Sequence, residues 1–344
     1  MSAEVDDAGL VKMLMSAPPP VSHRMADRIV ACLRGIAIGD AVGKQTEMLA
    51  HADIGRWYPH GVRGFEGTPG DIIPRYAGNA KREWRIGETT DDTERTLAVA
   101  RAIVSDGTVR HATVGRELLT CRKSVHAGVK SLWEFHQAAD PTRIATSHDG
   151  CGAAIRVAPV GIVHQPGSLN ALVEGAYEAS ISTHGGSLAI AAAAATAAAV
   201  SAAIDGASSQ QVLGLAEGAA AVAESRWPGA SAPAFANAVR AAHADLASMP
   251  VIRADDVAVR WCPDRPLTIV PLALALATTM QSAQEAILLA TNVGGDSDSV
   301  ASIAGGILGA MQPNTINRQW YDVVERINDH DLMAIARELA ELRH

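Results

Sequence analysis

Aromatic side chains are scarce in this chain, at 4% of 344 residues against 48% hydrophobic residues overall. A core built from Ala, Val, Leu and Ile favours closely packed helices over a sheet, where β-branched and aromatic residues would be richer. Long alternating strand patterns are missing too, although "MPVIRADDVAVRW" (249–261) could hold one short strand. Cysteine is sparse: Cys32, Cys121, Cys151 and Cys262 contain no C-x-x-C pair. That spacing indicates neither a zinc ribbon nor a disulfide framework, and leaves reduced thiols of a cytoplasmic protein as the expectation. There is no basic run, and the net charge is −8. Both argue against a nucleic-acid-binding face. The first 22 residues lack the basic start and apolar core of a signal peptide and read as a flexible arm (1–22) ahead of a single all-α domain (23–344). Charge is absent from the 18 residues 187–204, but Ala is a weak membrane residue, so this run and the shorter 267–280 read as buried helices and no membrane contact is expected.

What is present is helical periodicity. It predicts helices over 25–40, 92–105, 113–121, 124–137, 151–160, 169–181, 186–204, 209–225, 234–247, 267–278, 282–291, 298–311, 317–327 and 331–342. Ser168, Ser208 and Ser282 are placed to cap, with Glu285 three residues after Ser282 as in a capping box. The stretch 48–88 is rich in Gly, Pro and aromatic residues and is not helix-like. A loop of that length in a compact domain is more often functional than idle, and substrate gating is its expected role.

Two stretches carry the chemistry. "NVGGDSDSVASIAGGILGAM" (292–311) places Asp296 and Asp298 behind two glycines, at the mouth of a small, apolar helix. "GETTDDTERTLAVARAIV" (87–104) repeats that layout with Thr90, Asp91 and Asp92. Aspartates at a helix start serve as caps and suit the dipole. Two such pairs flanked by hydroxyls, with neither His nor Cys among them, also make an all-oxygen site for Mg²⁺, Mn²⁺ or Ca²⁺. Adjacent residues on a helix diverge by about 100°. Asp91 and Asp92 would therefore each reach a different member of an ion pair, two ions about 3.5–4 Å apart.

Other features surround these. In "GIAIGDAVGKQTE" (35–47), Gly35, Gly39 and Gly43 fall on one helix face and permit close approach of a second helix. Asp40 within it is either a buried acceptor joining helices or part of a site. Glu47 is either ordinary surface charge or, at the start of the long loop, a carboxylate able to swing over a substrate. In "TSHDGCGAAIRVAPVG" (146–161), Ser147, Gly150, Cys151 and Gly152 precede an apolar helix whose first N–H groups could cradle a phosphate. His184, ahead of the Ala-rich helix, is a packing residue or a ligand contact.

Together, "GDAVG…E", "TTDDT", "GCGAAIRVAPVG", "TH" and "GGDSDS" stand in an order that resembles the ADP-ribosylglycohydrolase family, the group of the dinitrogenase-reductase-activating glycohydrolases and ADP-ribosylhydrolases. The resemblance covers about 28–311. It implies a single all-α orthogonal multi-helix bundle and a binuclear centre of two Mg²⁺ (or Mn²⁺). It implies hydrolysis at C1″ of an ADP-ribosyl group, with the ADP-ribose moiety of a modified substrate as partner and a monomer as the assembly. The metal ligands it implies are Thr90, Asp91, Asp92, Asp296, Asp298 and Ser299, and the catalytic residue is Glu47, unless a metal-held water acts instead. The substrate-binding set is Ser147, His148, Gly150, Cys151, Gly152, His184 and Gly128. Ser299 and Ser297 replace the family's usual Thr, and Cys151 its usual Asn. Residues 107–139 contain no Asp, so ADP-ribosyl-arginine is not singled out as substrate. Hydrolysis of O-acetyl-ADP-ribose or another N-riboside, and silent ADP-ribose binding, remain the alternatives.

Overall fold

The computed structural model describes residues 24–123, 143–229 and 234–344. The arm over 1–22, the helix predicted over 124–137 and Gly128 lie outside the described residues. Among the described residues the chain forms helices α1 (Met25–Gly43), α2 (His51–Trp57), α3 (Asp91–Asp106), α4 (His111–Leu118), α5 (Ala158–Val163), α6 (Leu169–Ser180), α7 (Ser187–Ile204) and α8 (Ser209–Arg226). There follow α9 (Ala234–Ala247), α10 (Ala254–Trp261), α11 (Pro266–Thr279), α12 (Ala283–Val293), α13 (Ser297–Met311), α14 (Arg318–Asn328) and α15 (Leu332–Glu341). Extended pairing among them is limited to one antiparallel bridge, Ile72 to Arg85. The fold is all-α, as expected. One core cluster runs from Ile29 in α1 to Leu339 in α15. The Ala-rich α7 is its central rod: the 18-residue apolar window is 89% buried inside the fold.

Three expectations are corrected. The stretch 249–261 holds α10 instead of a strand. Val257 and Val259 mimic strand alternation, yet Val257 is fully buried and Val259 is 87% exposed, while Asp255 and Asp256 suit the first turn of a helix. Within 48–88 the short helix α2 forms around one buried residue, Ile54. The helix predicted over 151–160 is a 3₁₀ turn, Cys151–Arg156, followed by α5, because Pro159 lacks the N–H that would join the two. Of the expected caps, Ser208 forms a full capping box with Gln211 and Ser282 accepts from Glu285 N–H. Ser168 makes no side-chain cap bond, its ψ of 61° departing from the extended cap backbone.

The glycine stripe of α1 does what its spacing implies. A Cβ at Gly35 would lie 2.1 Å from the Gly305 carbonyl oxygen, at Gly39 2.2 Å from that of Ala301, and at Gly43 2.5 Å from the Asp298 Cα. Residue numbers rise on one helix as they fall on the other, so α1 and α13 are antiparallel and nearly in backbone contact. The end of α1 therefore meets the start of α13. Backbone obstacles cannot rotate away, so Gly39→Ala is expected to destabilise the fold by about 3 kcal/mol or more, the upper range for overpacking. Chemical denaturation with an unchanged slope checks this.

Asp40 is the buried joining acceptor. Its carboxylate accepts from the backbone N–H groups of Thr90 (2.9 Å) and Thr93 (3.0 Å) and from the Thr93 hydroxyl. It thus caps α3 from outside and draws that helix start to the end of α1. One helix, through its glycines and its aspartate, brings together two acidic clusters some 200 residues apart in sequence.

Candidate active site

The two helix starts open into one cleft of about 390 Å³. Glu47, Asp91, Asp92, Asp296, Asp298 and Ser299 line it, as do His148, Gly150, Cys151, Gly152 and His184. Met48, Arg95, Asp149 and Ile155, which sequence reasoning missed, complete the wall. Thr90 and Ser147 are not among the residues that line it. The Thr90 hydroxyl caps α3, accepting from Asp92 N–H at 3.2 Å. The carbonyl of exposed Ser147 accepts from Gly185 N–H at 2.8 Å.

Asp298 Oδ1 accepts from the first-turn N–H of Ser299 at 3.1 Å, but Asp296 is not spent on capping α13. Asp296 occupies the N-cap position but makes no side-chain cap bond. The hydroxyl of Ser297 points away from the cleft's chemistry, donating to the Gly43 carbonyl at 2.9 Å and so stitching α13 to α1. Asp92 and Asp298 are each 3% exposed. Burial, reinforced for Asp92 by Asp40, Asp91 and Asp296, pushes its carboxyl well above the usual range. Burial and Glu47 do the same for Asp298, against the pull of Lys44. Asp296 is raised by burial despite hydrogen bonds with Asp298, Ser299 and Cys151. Asp92 Oδ2 is buried without any hydrogen-bond partner. A buried, unpartnered carboxylate oxygen is costly unless a positive charge meets it.

Asp91 diverges from Asp92 as helix geometry requires. Its Oδ2 lies 3.3 Å from Arg95 Nη2, an i,i+4 pair that the spacing made legible. Gly294 and Gly295 take left-handed φ values of 83° and 63°. A Cβ on either would strike a carbonyl oxygen at 2.6 Å, that of Leu49 or of Pro263. The turn they allow exchanges backbone bonds with the segment after α1, Met48 N–H to the Gly295 carbonyl at 2.6 Å and Gly295 N–H to the Leu49 carbonyl at 2.8 Å. This lays Glu47 beside Asp298.

Glu47 is neither free surface charge nor a swinging arm. Its Oε2 accepts from Lys44 Nζ and, at 3.1 Å, from the Tyr76 hydroxyl. Arg75 donates to the Glu47 carbonyl oxygen. Lys44 Nζ sits 4.2 Å from the Trp84 ring. Burial opposes its charge, but Asp298 and Glu47 hold the ammonium above its ordinary value. Tyr76 and Trp84 belong to a small second core with Ile73 and Ile86. The long loop is thus folded upon itself and fastens the glutamate.

The opposite wall is built as a relay. Arg156, 1% exposed, donates to the Ala179 and Ser180 carbonyls at the end of α6 and to the Thr183 hydroxyl at 2.7 Å. Burial and Arg95 push its guanidinium down to about 9. The Thr183 hydroxyl lies 2.7 Å from His184 Nδ1. With Nδ1 accepting from that hydroxyl, Nε2 carries the hydrogen. Burial, then Arg156 and Arg95, lower the His184 pKa well below its ordinary value, so the ring is neutral. His184 fixes the glycine turn: a Cβ at Gly152 would meet its ring at 2.7 Å, and one at Gly150 at 3.3 Å. The six-residue 3₁₀ turn gives little macrodipole, so any anion there would be met by individual N–H groups and by Arg95.

Behind α3, Thr89 is braced by the end of α14. Its N–H and hydroxyl donate to Asn328 Oδ1 at 3.0 and 3.1 Å, and its hydroxyl lies 3.0 Å from His330 Nε2. Burial, with Lys123, pushes His330 from 6.5 down to about 4. Below the unfolded value the unfolded chain takes up a proton that the native fold refuses. Stability present above pH 6.5 is therefore lost as pH falls toward 4, by up to about 3 kcal/mol from this group. Urea midpoints of wild type and His330→Asn from pH 7 to pH 4 check it: the variant is expected to lose about one proton's worth of slope.

The residues able to hold a cation are Asp92, Asp296 and Asp298, with Asp91 and Ser299 at their flanks. They are hard oxygen donors, nearly dry at Asp92 and Asp298, and fit Mg²⁺ or Mn²⁺ in kind. Among the described residues no three Asp, Glu, His or Cys side chains are already closed upon one ion position. The fit rests on the donor chemistry and the orphaned Asp92 Oδ2.

An all-α bundle with paired aspartates at two helix starts defines a class of protein, and comparisons agree with it. A solved structure described as an ADP-ribosylglycohydrolase-related protein complex shares the fold, with a TM-score of 0.71 and 23% identity over 93% of this chain and 99% of that one. The family profile of the ADP-ribosylglycohydrolases matches residues 21–344, and the chain belongs to that family. Among its relatives are an uncharacterized protein of Archaeoglobus fulgidus, 27% identical over 92% of this chain and 97% of that one, and the uncharacterized protein YegU of Escherichia coli, with the same identity and coverage. The ADP-ribosyl-[dinitrogen reductase] glycohydrolase of Rhodospirillum rubrum is 25% identical over 142 residues, 40% of this chain and 44% of its own.

Proposed function

We propose that this chain is a divalent-cation-dependent hydrolase that cleaves the glycosidic bond at C1″ of an ADP-ribosyl group, releasing ADP-ribose from a modified side chain or a small conjugate. One observation carries the reading. Carboxylates from two distant helix starts, a fastened glutamate and a glycine turn backed by a neutral histidine all line one cleft.

Two bound Mg²⁺ or Mn²⁺ ions would supply Lewis acidity and fixed oxygen positions for the vicinal ribose hydroxyls. Asp91, Asp92, Asp296, Asp298 and Ser299 would hold them, and Thr90 would add an oxygen only through the lone pair its cap leaves over. Both bonds to the Glu47 carboxylate fall on Oε2, which leaves Oε1 to accept the proton of an attacking water while an oxocarbenium-like transition state forms at C1″. The turn at Gly150–Gly152, with His184 Nε2–H and Arg95, would bind the diphosphate and orient the sugar.

Incubation with ADP-ribosylated peptides and with O-acetyl-ADP-ribose, with and without EDTA, tests this. Free ADP-ribose should be produced from at least one of them, and chelation should stop it. Release that persists in EDTA, or no release from either class with Mg²⁺ and Mn²⁺ present, would contradict it.

A further inference from the structure

We propose that Met48 is a specificity-determining residue: it contacts the group that leaves from C1″ and favours one with apolar surface beside the bond that is cut. The inference rests on the glycohydrolase reading and deepens it. Among the described residues three that are not glycine hold left-handed backbones: Met48 at φ 61°, His148 at 78° and Asp329 at 54°. Asp329 is the C-cap of α14, an ordinary place for such a residue. The other two line the cleft. For a methionine that backbone is costly, whereas glycine would adopt it freely. The turn requires the conformation, since Met48 N–H bonds the Gly295 carbonyl at 2.6 Å, but it does not require the side chain. Nor does the core, because Met48 is 77% exposed. Strain kept at a site wall, by a side chain the fold does not use, points to a ligand contact. The order of groups along the substrate says which one. The diphosphate joins the ribose at its 5″ carbon and is assigned to the Gly150–Gly152 turn. The leaving group sits across the ring at C1″, on the Glu47 side, and Met48 is the next residue of that wall. A thioether has no charge and no donor, but it packs against apolar groups and aromatic edges. In a modified protein the fitting group is an apolar residue flanking the ADP-ribosylated side chain.

The test measures kcat and KM on two ADP-ribosylated peptides of one linkage, alike except that leucine or serine flanks the modified residue. Wild type, Met48→Gly and Met48→Leu are run in parallel with Mg²⁺, and each is melted. Wild type should favour the leucine peptide by about tenfold in kcat/KM, the scale of a small apolar contact. Met48→Gly should nearly erase that preference, the loss falling on KM more than on kcat. It should melt no lower than wild type, because it frees a strained backbone and uncovers no core. Met48→Leu keeps an apolar side chain and should keep the preference. A wild type indifferent to the flanking residue overturns the proposal, and so does a preference that survives in Met48→Gly. A Met48→Gly protein that melts lower and slows equally on both peptides shows the side chain to be structural and overturns it too. In these cases the hydrolase reading stands. If wild type cleaves neither peptide the proposal falls, and release from O-acetyl-ADP-ribose then decides whether the hydrolase reading falls with it.

Discussion

Asp92→Asn is expected to reduce hydrolysis of an ADP-ribosyl conjugate by about a thousandfold or more, equivalent to roughly 4 kcal/mol of barrier, while the metal-free protein becomes no less stable. The substitution keeps the shape of a residue buried to 97%, given its 3% exposure, and removes only charge. In wild type that charge is crowded by Asp40, Asp91 and Asp296. Without a cation the crowding is a cost, and asparagine relieves it. With a cation the same charge supplies binding, and asparagine loses it. A structural aspartate would behave otherwise, since its loss would lower the melting temperature and leave cation affinity alone. Turnover, calorimetry with Mn²⁺ and thermal melting on one preparation separate the two.

Glu47→Gln is expected to lower kcat by about 10²–10⁴, the usual range for general acid–base catalysis, with the affinity for ADP-ribose nearly unchanged. Glutamine can still accept from the Tyr76 hydroxyl, so the loop fold should survive. It cannot take a proton from water. Tyr76→Phe removes one bond to Oε2 and should have a smaller effect, because Lys44 still holds the carboxylate. Single-turnover rates and ADP-ribose binding check both variants. Wild-type turnover in Glu47→Gln would assign the proton transfer to another group.

The helical fold was legible because period and composition agree: Ala-rich runs with glycines four apart have few other ways to bury themselves. The acidic clusters were legible for a related reason. Carboxylates at the mouth of an apolar helix demand a partner, and two such mouths sharing one pattern suggest a shared one. The long loop was less legible. Its aromatic residues were visible, but that Tyr76 would bond Glu47, and Trp84 cover Lys44, depends on a local fold without periodicity. Arg95 could have been found from its i,i+4 spacing to Asp91. Lys44 lies three residues before Glu47, a spacing equally open to inspection. The α10 helix was hidden because the two-residue spacing of Val257 and Val259 imitates a strand, although one is buried and the other exposed. Asp40 stayed ambiguous in the sequence, since nothing local shows that its hydrogen-bond donors lie 50 residues away, starting at Thr90.

The central claim is that the two helix starts form a cation site, and the melting temperature of the metal-stripped protein as Mg²⁺ or Mn²⁺ is added tests it most directly. Mass action on the native state predicts a rise that continues with concentration, worth about 2.7 kcal/mol at a hundredfold excess over Kd. Asp296→Asn should blunt that rise while leaving the metal-free protein as stable as wild type or more so, because it removes a buried carboxylate charge close to Glu47 while the amide oxygen can still accept from Cys151 and Ser299. A wild-type melting temperature indifferent to both ions, together with a plain loss of stability in Asp296→Asn, would show these aspartates to be structural and would contradict the account.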